Sequence, residues 1–120
     1  MNPRASAWRQ GVLAEWLCLA WLAVKGYAIL ARRFRCPVGE IDIVARRGDT
    51  LVAVEVKARR DFDAAVSALT LRQRERILRA AEYFRLGLGA RAPAGTRFDL
   101  MLVAPWRPPR HIENAWRAGE

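Results

Sequence analysis

Histidine occurs once in this 120-residue chain, cysteine twice and lysine twice. His111 stands far from Cys18 and Cys36, so no spacing suits a zinc site and no Cys-His nucleophile pair can be built. Cys18 falls in an apolar segment and reads as core, while Cys36 precedes a proline in an expected loop; such sparse cysteine fits a reducing cytoplasm. Long hydrophobic runs are missing too. The apolar segment 16–24 is far short of the roughly 20 residues a bilayer span needs. Glu15 at the head of that segment, with Lys25 and Gly26 after it, argues against a secretory signal, and no membrane partner is expected. There is no internal repeat, P-loop or dinucleotide fingerprint.

What is abundant is arginine. Nineteen arginines stand against the two lysines, and the formal net charge is +9. Such a balance favours polyanions, either nucleic acid or an anionic membrane surface, although a ribosome-bound protein would show the same total. With 52% hydrophobic residues the chain reads as a single folded domain over 1–120, its core spanning about 8–104 and a proline-rich tail following from 105.

The stretch 39–59, GEIDIVARRGDTLVAVEVKAR, organises the rest. It reads as strands 40–47 and 50–58, rich in Ile, Val and Leu and punctuated by Gly48-Asp49. Gly48 in the φ > 0 first position of a type II′ turn sets Arg47 opposite Thr50. Carried back along the ladder, that register puts Asp42 opposite Glu55 and Glu40 opposite Lys57, with Glu40 and Asp42 on one face of their strand. Facing Cβ atoms are roughly 5 Å apart, and like charges so placed are destabilising. Burying two carboxylates on apolar strands costs several kcal/mol per ion unless a cation sits between them. A hard divalent cation such as Mg²⁺ suits oxygen ligands of this kind. The plainer alternative is a salt-bridged hairpin, with Lys57 neutralising one acid and Arg59 or Arg47 the other. Convergence of the acids, their apolar surroundings and the scarcity of lysine favour the cation. Where charge alone is wanted this chain uses arginine, so Lys57 points to orienting or deprotonating a water.

The pattern D-x(12)-E-V-K on a hairpin resembles the PD-(D/E)xK nuclease superfamily. The wider strings G-E-I-D-I-V-A and V-E-V-K-A-R resemble the uncharacterised YraN family, related to archaeal Holliday-junction resolvases, over about residues 11–103. The resemblance implies a restriction endonuclease-like core and a bound Mg²⁺ or Mn²⁺. Asp42 and Glu55 would be its ligands, and Lys57 would act on the attacking water or the phosphate. The superfamily's usual proline before the aspartate is Ile41 here. Gly11-x-x-x-Glu15 resembles a first-helix glutamate that leans toward the metal in the resolvase-like relatives, which makes Glu15 an expected third acid. Without that likeness, a lone helical glutamate belongs to a polar stripe. Gln73 has two readings: a helix cap, or the Lys or Gln that many superfamily members place near the active site.

The flanking segments give the order α-β-β-β-α-β, an α/β fold with a mixed central sheet and a helix on each side. Residues 8–25 form the first helix, closed by Gly26 as its αL cap, after a loose start at 1–7. Residues 26–34 form the first strand. Arg32, Arg33 and Arg35 near the motif's entrance read as solvated charges or as phosphate contacts. Residues 59–63 are a loop from which Arg59 and Arg60 would grip a backbone phosphate, and 64–69 is ambiguous between loop and helical turn. Thr70-Leu71-Arg72-Gln73 has capping-box form and opens the second helix, with Leu71, Ile77, Leu78, Ala81 and Phe84 as its apolar face. Arg72, Arg76 and Arg79 line another face, the expected contact with the DNA backbone. A last strand covers 97–104, with Asp99 in a surface or salt-bridge role. Residues 112–119 form a short docked helix or a frayed tail.

The function expected is a metal-dependent DNA endonuclease, with branched DNA implied only by the relatives. Glu40 would tune Lys57 or serve as an auxiliary ligand. A homodimer would supply the two sites that symmetric cleavage of two strands needs. The alternatives are a non-catalytic nucleic-acid-binding protein that kept the fold, and an adaptor at a membrane surface or ribosome.

Overall fold

A computed structural model describes residues 3–59 and 61–117, with the backbone alone for residues 3–10 and Phe62. The order is α1 (Pro3–Val24), β1 (Ala28–Cys36), β2 (Gly39–Arg47), β3 (Thr50–Lys57), α2 (Phe62–Ala68), α3 (Leu71–Leu88), a 3₁₀ turn (Gly89–Arg91), β4 (Gly95–Leu102) and β5 (Arg110–Trp116). One five-stranded sheet runs β1-β2-β3-β4-β5. Among the described residues only the β3–β4 pair is parallel, because α2 and α3 carry the chain back to the sheet's starting end.

The hairpin is as its turn residues dictate. Gly48 has φ +58°, and Arg47 pairs with Thr50. The turn is tied down by Asp49, whose carboxylate accepts from the Ala94 amide at 2.9 Å and whose carbonyl accepts from the Gly95 amide at 3.0 Å. Gly26, at φ +92°, ends α1 with the Tyr27 amide on the Leu22 carbonyl and the Gly26 amide on the Ala23 carbonyl. That is a Schellman closure. The two sheet faces are covered separately. Cys18, Leu19 and Leu22 of α1 pack on Ile43, Val52, Val54 and Met101. Ile77, Ala80 and Ala81 of α3 pack on Ile41, Val44, Leu51 and Phe98. Cys18 is core, as its setting implied.

Four local expectations are corrected. The first helix begins at Pro3 rather than residue 8, a proline at the first helical position needing no amide partner. Residues 62–68, placed across a loop and an ambiguous turn, are a helix capped by Asp61, whose carboxylate accepts from the Asp63 amide at 2.8 Å. Leu71 is exposed, not part of the apolar face of α3. The C-terminal segment is neither helix nor tail but the edge strand β5. It is anchored where Trp116 stacks on Phe98 at 5.5 Å and where Ile112 pairs with Leu100.

Gly39, the glycine of G-E-I-D, is fixed by space. A Cβ there would collide with the backbone carbonyl oxygen of Arg76 and lie 2.7 Å from its carbon, since α3 crosses β2 almost backbone to backbone. Neither partner is a flexible side-chain end that can swing aside. Gly39→Ala is expected to lower stability by about 2–3 kcal/mol, the upper range for overpacking, measured as the shift in urea midpoint at unchanged slope. A neutral result would mean that α3 is free to lift.

Candidate functional site

The acids meet where β2 and β3 part. The described ladder between them ends at Ile43↔Val54. Beyond it, Asp42 Oδ2 accepts a 2.8 Å hydrogen bond from the Val56 amide, so a side chain replaces the backbone rung. Alternation breaks at the same place. Ile41 and Val44 belong to the cluster under α3, whereas Ile43 and Ala45 belong to the one under α1. Asp42 therefore sits in a seam between strands rather than squarely across the ladder from Glu55.

Glu55 is 6% exposed. Its Oε1 accepts from Gln73 Nε2 at 2.9 Å and lies 3.6 Å from Lys57 Nζ, while Lys57 Nζ donates to Gln73 Oε1 at 3.4 Å. Burial, then the charge of Asp42 and the hydrogen bond shared by the two carboxyl groups, push Glu55 up to about 8; Lys57 pulls the other way and loses. Near neutrality the Glu55 carboxyl therefore keeps its proton unless further positive charge is supplied beside it.

Glu15 reaches the site from α1. With Gly11, Ala14, Asp42, Val56 and Ala58 it lines a cleft of about 210 Å³. Burial, then Asp42 and Glu15, push the neighbouring Cys18 thiol up to about 12, so both acids bear on one point. The Glu15 carboxylate is held by Arg33 Nε at 3.0 and 3.2 Å. Arg33 has φ +50° within β1, a left-handed backbone that a non-glycine residue adopts at a cost.

The structure thus brings together Asp42, Glu55, Lys57 and Gln73, with Glu15 across the cleft. Among the described residues, no three Asp, Glu, His or Cys side chains stand close enough to make a ligand set by themselves. Glu40 is not with Lys57. It forms a two-pronged pair with Arg76 of α3, at 2.8 and 3.3 Å, which lowers its pKa, chiefly through that hydrogen bond. Arg76 is thereby engaged, whereas Arg72 and Arg79 are exposed on α3. Arg59 is exposed and bonds the Ala58 carbonyl at 3.0 Å. Arg60 lies outside the described residues. Both readings of Gln73 are half right: its amide is capped by Thr70 Oγ1 at 3.1 Å, but its side chain turns to Glu55 and Lys57 instead of back to Thr70.

Two groups escaped the sequence reading. Arg33 was one of three similar arginines, and only its backbone angle singles it out. Asp99, expected at the surface or in a salt bridge, is completely buried and does have the salt bridge. Arg97 holds it at 2.7 and 2.8 Å, His111 Nε2 at 2.7 Å and the Asn114 amide at 2.9 Å. Lys25 closes the network, its Nζ 2.7 Å from His111 Nδ1. The scarcity of lysine, which had drawn attention to Lys57, marked this second site equally.

Fold and site together define a mixed α/β domain that gathers two carboxyl groups, an ammonium and an amide at the opening of a β-hairpin. The chain belongs to the uncharacterised protein family UPF0102, whose sequence profile matches residues 14–103 and so takes in Glu15, Asp42, Glu55, Lys57 and Gln73. It is 50% identical over 116 residues to a UPF0102 protein of Paramagnetospirillum magneticum, covering 93% of this chain and 90% of that one. It is also 50% identical over 115 residues to one from Nitrobacter winogradskyi, covering 96% and 98%. A relative in Maricaulis maris is 46% identical over 119 residues, covering 99% and 94%.

Proposed function

We propose that this protein is a metal-dependent endonuclease that hydrolyses DNA phosphodiester bonds, with branched DNA among its substrates through the likeness to junction resolvases. The observation that carries the reading is the buried Glu55 carboxyl, bonded to Gln73 at 2.9 Å, 3.6 Å from Lys57 and near enough to Asp42 for that charge to help push it up to about 8. A buried carboxyl group that resists ionisation beside a second carboxylate fits a hard divalent cation. The succession of helix, three antiparallel strands, helices and a parallel strand is also that of the restriction endonuclease-like core, which supports the superfamily reading.

Asp42 and Glu55 would hold Mg²⁺ or Mn²⁺, joined by Glu15 once its carboxylate leaves Arg33. Such an ion, when bound, supplies positive charge to the scissile phosphate and lowers the pKa of a water. Lys57 would orient the attacking water or the phosphate as an ammonium, or take the water's proton as the neutral amine, and Gln73, bonded to both Lys57 and Glu55, keeps their heads in register. Arg59, Arg60, Arg72 and Arg79 provide contacts to backbone phosphates.

Hydrolysis of linear and branched DNA with Mn²⁺ tests the mechanism. Asp42→Asn and Glu55→Gln are each expected to slow cleavage by about a hundredfold or more, the upper range for losing even a group that supports a ligand. Cleavage that survives either change would sink it.

A second reading has its own support, because each acid already has protein donors: Val56 for Asp42, Gln73 and Lys57 for Glu55, Arg33 for Glu15. On that reading the protein binds nucleic acid without cutting it. Thermal stability that does not rise with Mn²⁺, in the parent and in Asp42→Asn alike, would favour it.

A further inference from the structure

The cleft shared by Glu15 and Asp42 does not end at Ala14 and Ala58. Both residues also line a larger groove of about 550 Å³, walled by Leu13 and Leu17 of α1 on one side and by Pro105 and Trp106 on the other. Two guanidinium groups, Arg59 and Arg107, share its lining. The Val103 amide donates to the Lys57 carbonyl at 3.0 Å, so the segment that carries Trp106 is hung from the strand that carries Glu55 and Lys57.

Trp106 is fully exposed, and its backbone lies in the left-handed region, with φ +63°. Core packing accounts for neither. Burying an indole is among the larger single gains a small domain can make, and left-handed backbone is costly for a bulky residue. A planar aromatic face, an apolar floor and two cations in one groove that opens into the acidic cleft match a ligand with a flat apolar ring and an anionic backbone. A nucleotide has both.

We propose that this groove takes one unpaired base of the nucleic acid. The base stacks on Trp106 against Leu13 and Leu17, Arg59 and Arg107 hold its flanking phosphates, and the next phosphate is delivered into the cleft of Glu15 and Asp42. Bases inside a duplex are already stacked and turned inward, so the substrate class is nucleic acid with an unpaired nucleotide beside the attacked bond: a single strand, a flap or a fork. Where the phosphate goes rests on the endonuclease reading above; recognition of the base does not.

The test is fluorescence anisotropy in EDTA, where no metal-dependent cleavage proceeds, with a short fluorescein-labelled oligothymidylate and a blunt duplex of the same length. The parent protein is expected to favour the single strand. Trp106→Ala should lose that margin by roughly tenfold or more, the scale of one base stacked on an aromatic ring, while Trp106→Phe keeps most of it. Because Trp106 is exposed, folding is not at stake. Equal strand-to-duplex ratios in the parent and Trp106→Ala would overturn the inference. So would sedimentation showing that the change dissolves a dimer while the ratio stays the same, since a second copy would then be the occupant. A chain that prefers single strands through Trp106 yet never hydrolyses DNA would keep this binding site and remove only the endonuclease.

Discussion

Asp99→Ala is expected to lower the unfolding free energy by about 3–5 kcal/mol, the usual penalty for removing one partner of a buried charge pair. Four donors converge on this carboxylate, from Arg97 twice, from His111 and from the Asn114 amide. Removing it strips these donors of their shared acceptor, Arg97 retaining its bond to the Tyr27 hydroxyl at 2.6 Å. The network also joins three parts of the chain: Lys25 and Tyr27 after α1, Arg97 and Asp99 on β4, and His111 on β5. Against a total stability of about 5–15 kcal/mol for a domain of this kind, the loss should be plain in urea unfolding. A drop under about 1 kcal/mol would mean the network is worth little. Burial alone would raise the Asp99 pKa, but the bonds from His111, Arg97 and Asn114 together outweigh it and hold the group below its ordinary 3.8. Its stabilising contribution is therefore complete above pH 3.8 and is lost as the pH falls through the lowered value.

Glu55 works in the opposite sense. Its folded-state pKa, about 8 against an ordinary 4.5, means that the native protein without metal binds a proton that the unfolded chain releases. Stability from this group is full below pH 4.5 and declines as the pH rises toward 8, beyond which the whole penalty is felt. Glu55→Gln keeps the shape, donates to Asp42 and carries no proton to lose. It is expected to match the parent near pH 4.5 and to exceed it above pH 8 by on the order of 3 kcal/mol, somewhat less than the full shift would give. Mn²⁺ should raise the melting temperature of the parent most at the alkaline end and that of the variant little. Parallel stability curves for parent and variant across this range would refute the buried-pair description.

Some of this arrangement was legible in the residues alone, wherever a single local rule decides. Gly48-Asp49 fixes its own turn and thereby the pairing of Arg47 with Thr50. Gly26 must end a helix, and Thr70 must begin one. What failed was extrapolation across a break. Continuing the ladder past Ile43 predicted Glu40 beside Lys57, but the alternation lapses at Asp42 and Glu40 goes to Arg76. Strand β5 was hidden because prolines precede it and because its burial depends on a stack between Trp116 and Phe98 that no periodicity announces. Gln73 was ambiguous for a different reason: its amide and its side chain serve two separate ends, and a pattern of residue types cannot divide them.

The two edges of the sheet change what the arginines mean. Strand β1 is one free edge, and it carries Arg32, Arg33 and Arg35, all exposed, with a register shift at Ile29/Ala31 and a left-handed residue at Arg33. Strand β5 is the other, kinked at Asn114 with φ +54°. A stray strand adding to β1 would have to lie along a row of cations on a bent template. Part of the positive charge thus disfavours the addition of another strand at this edge, quite apart from any ligand.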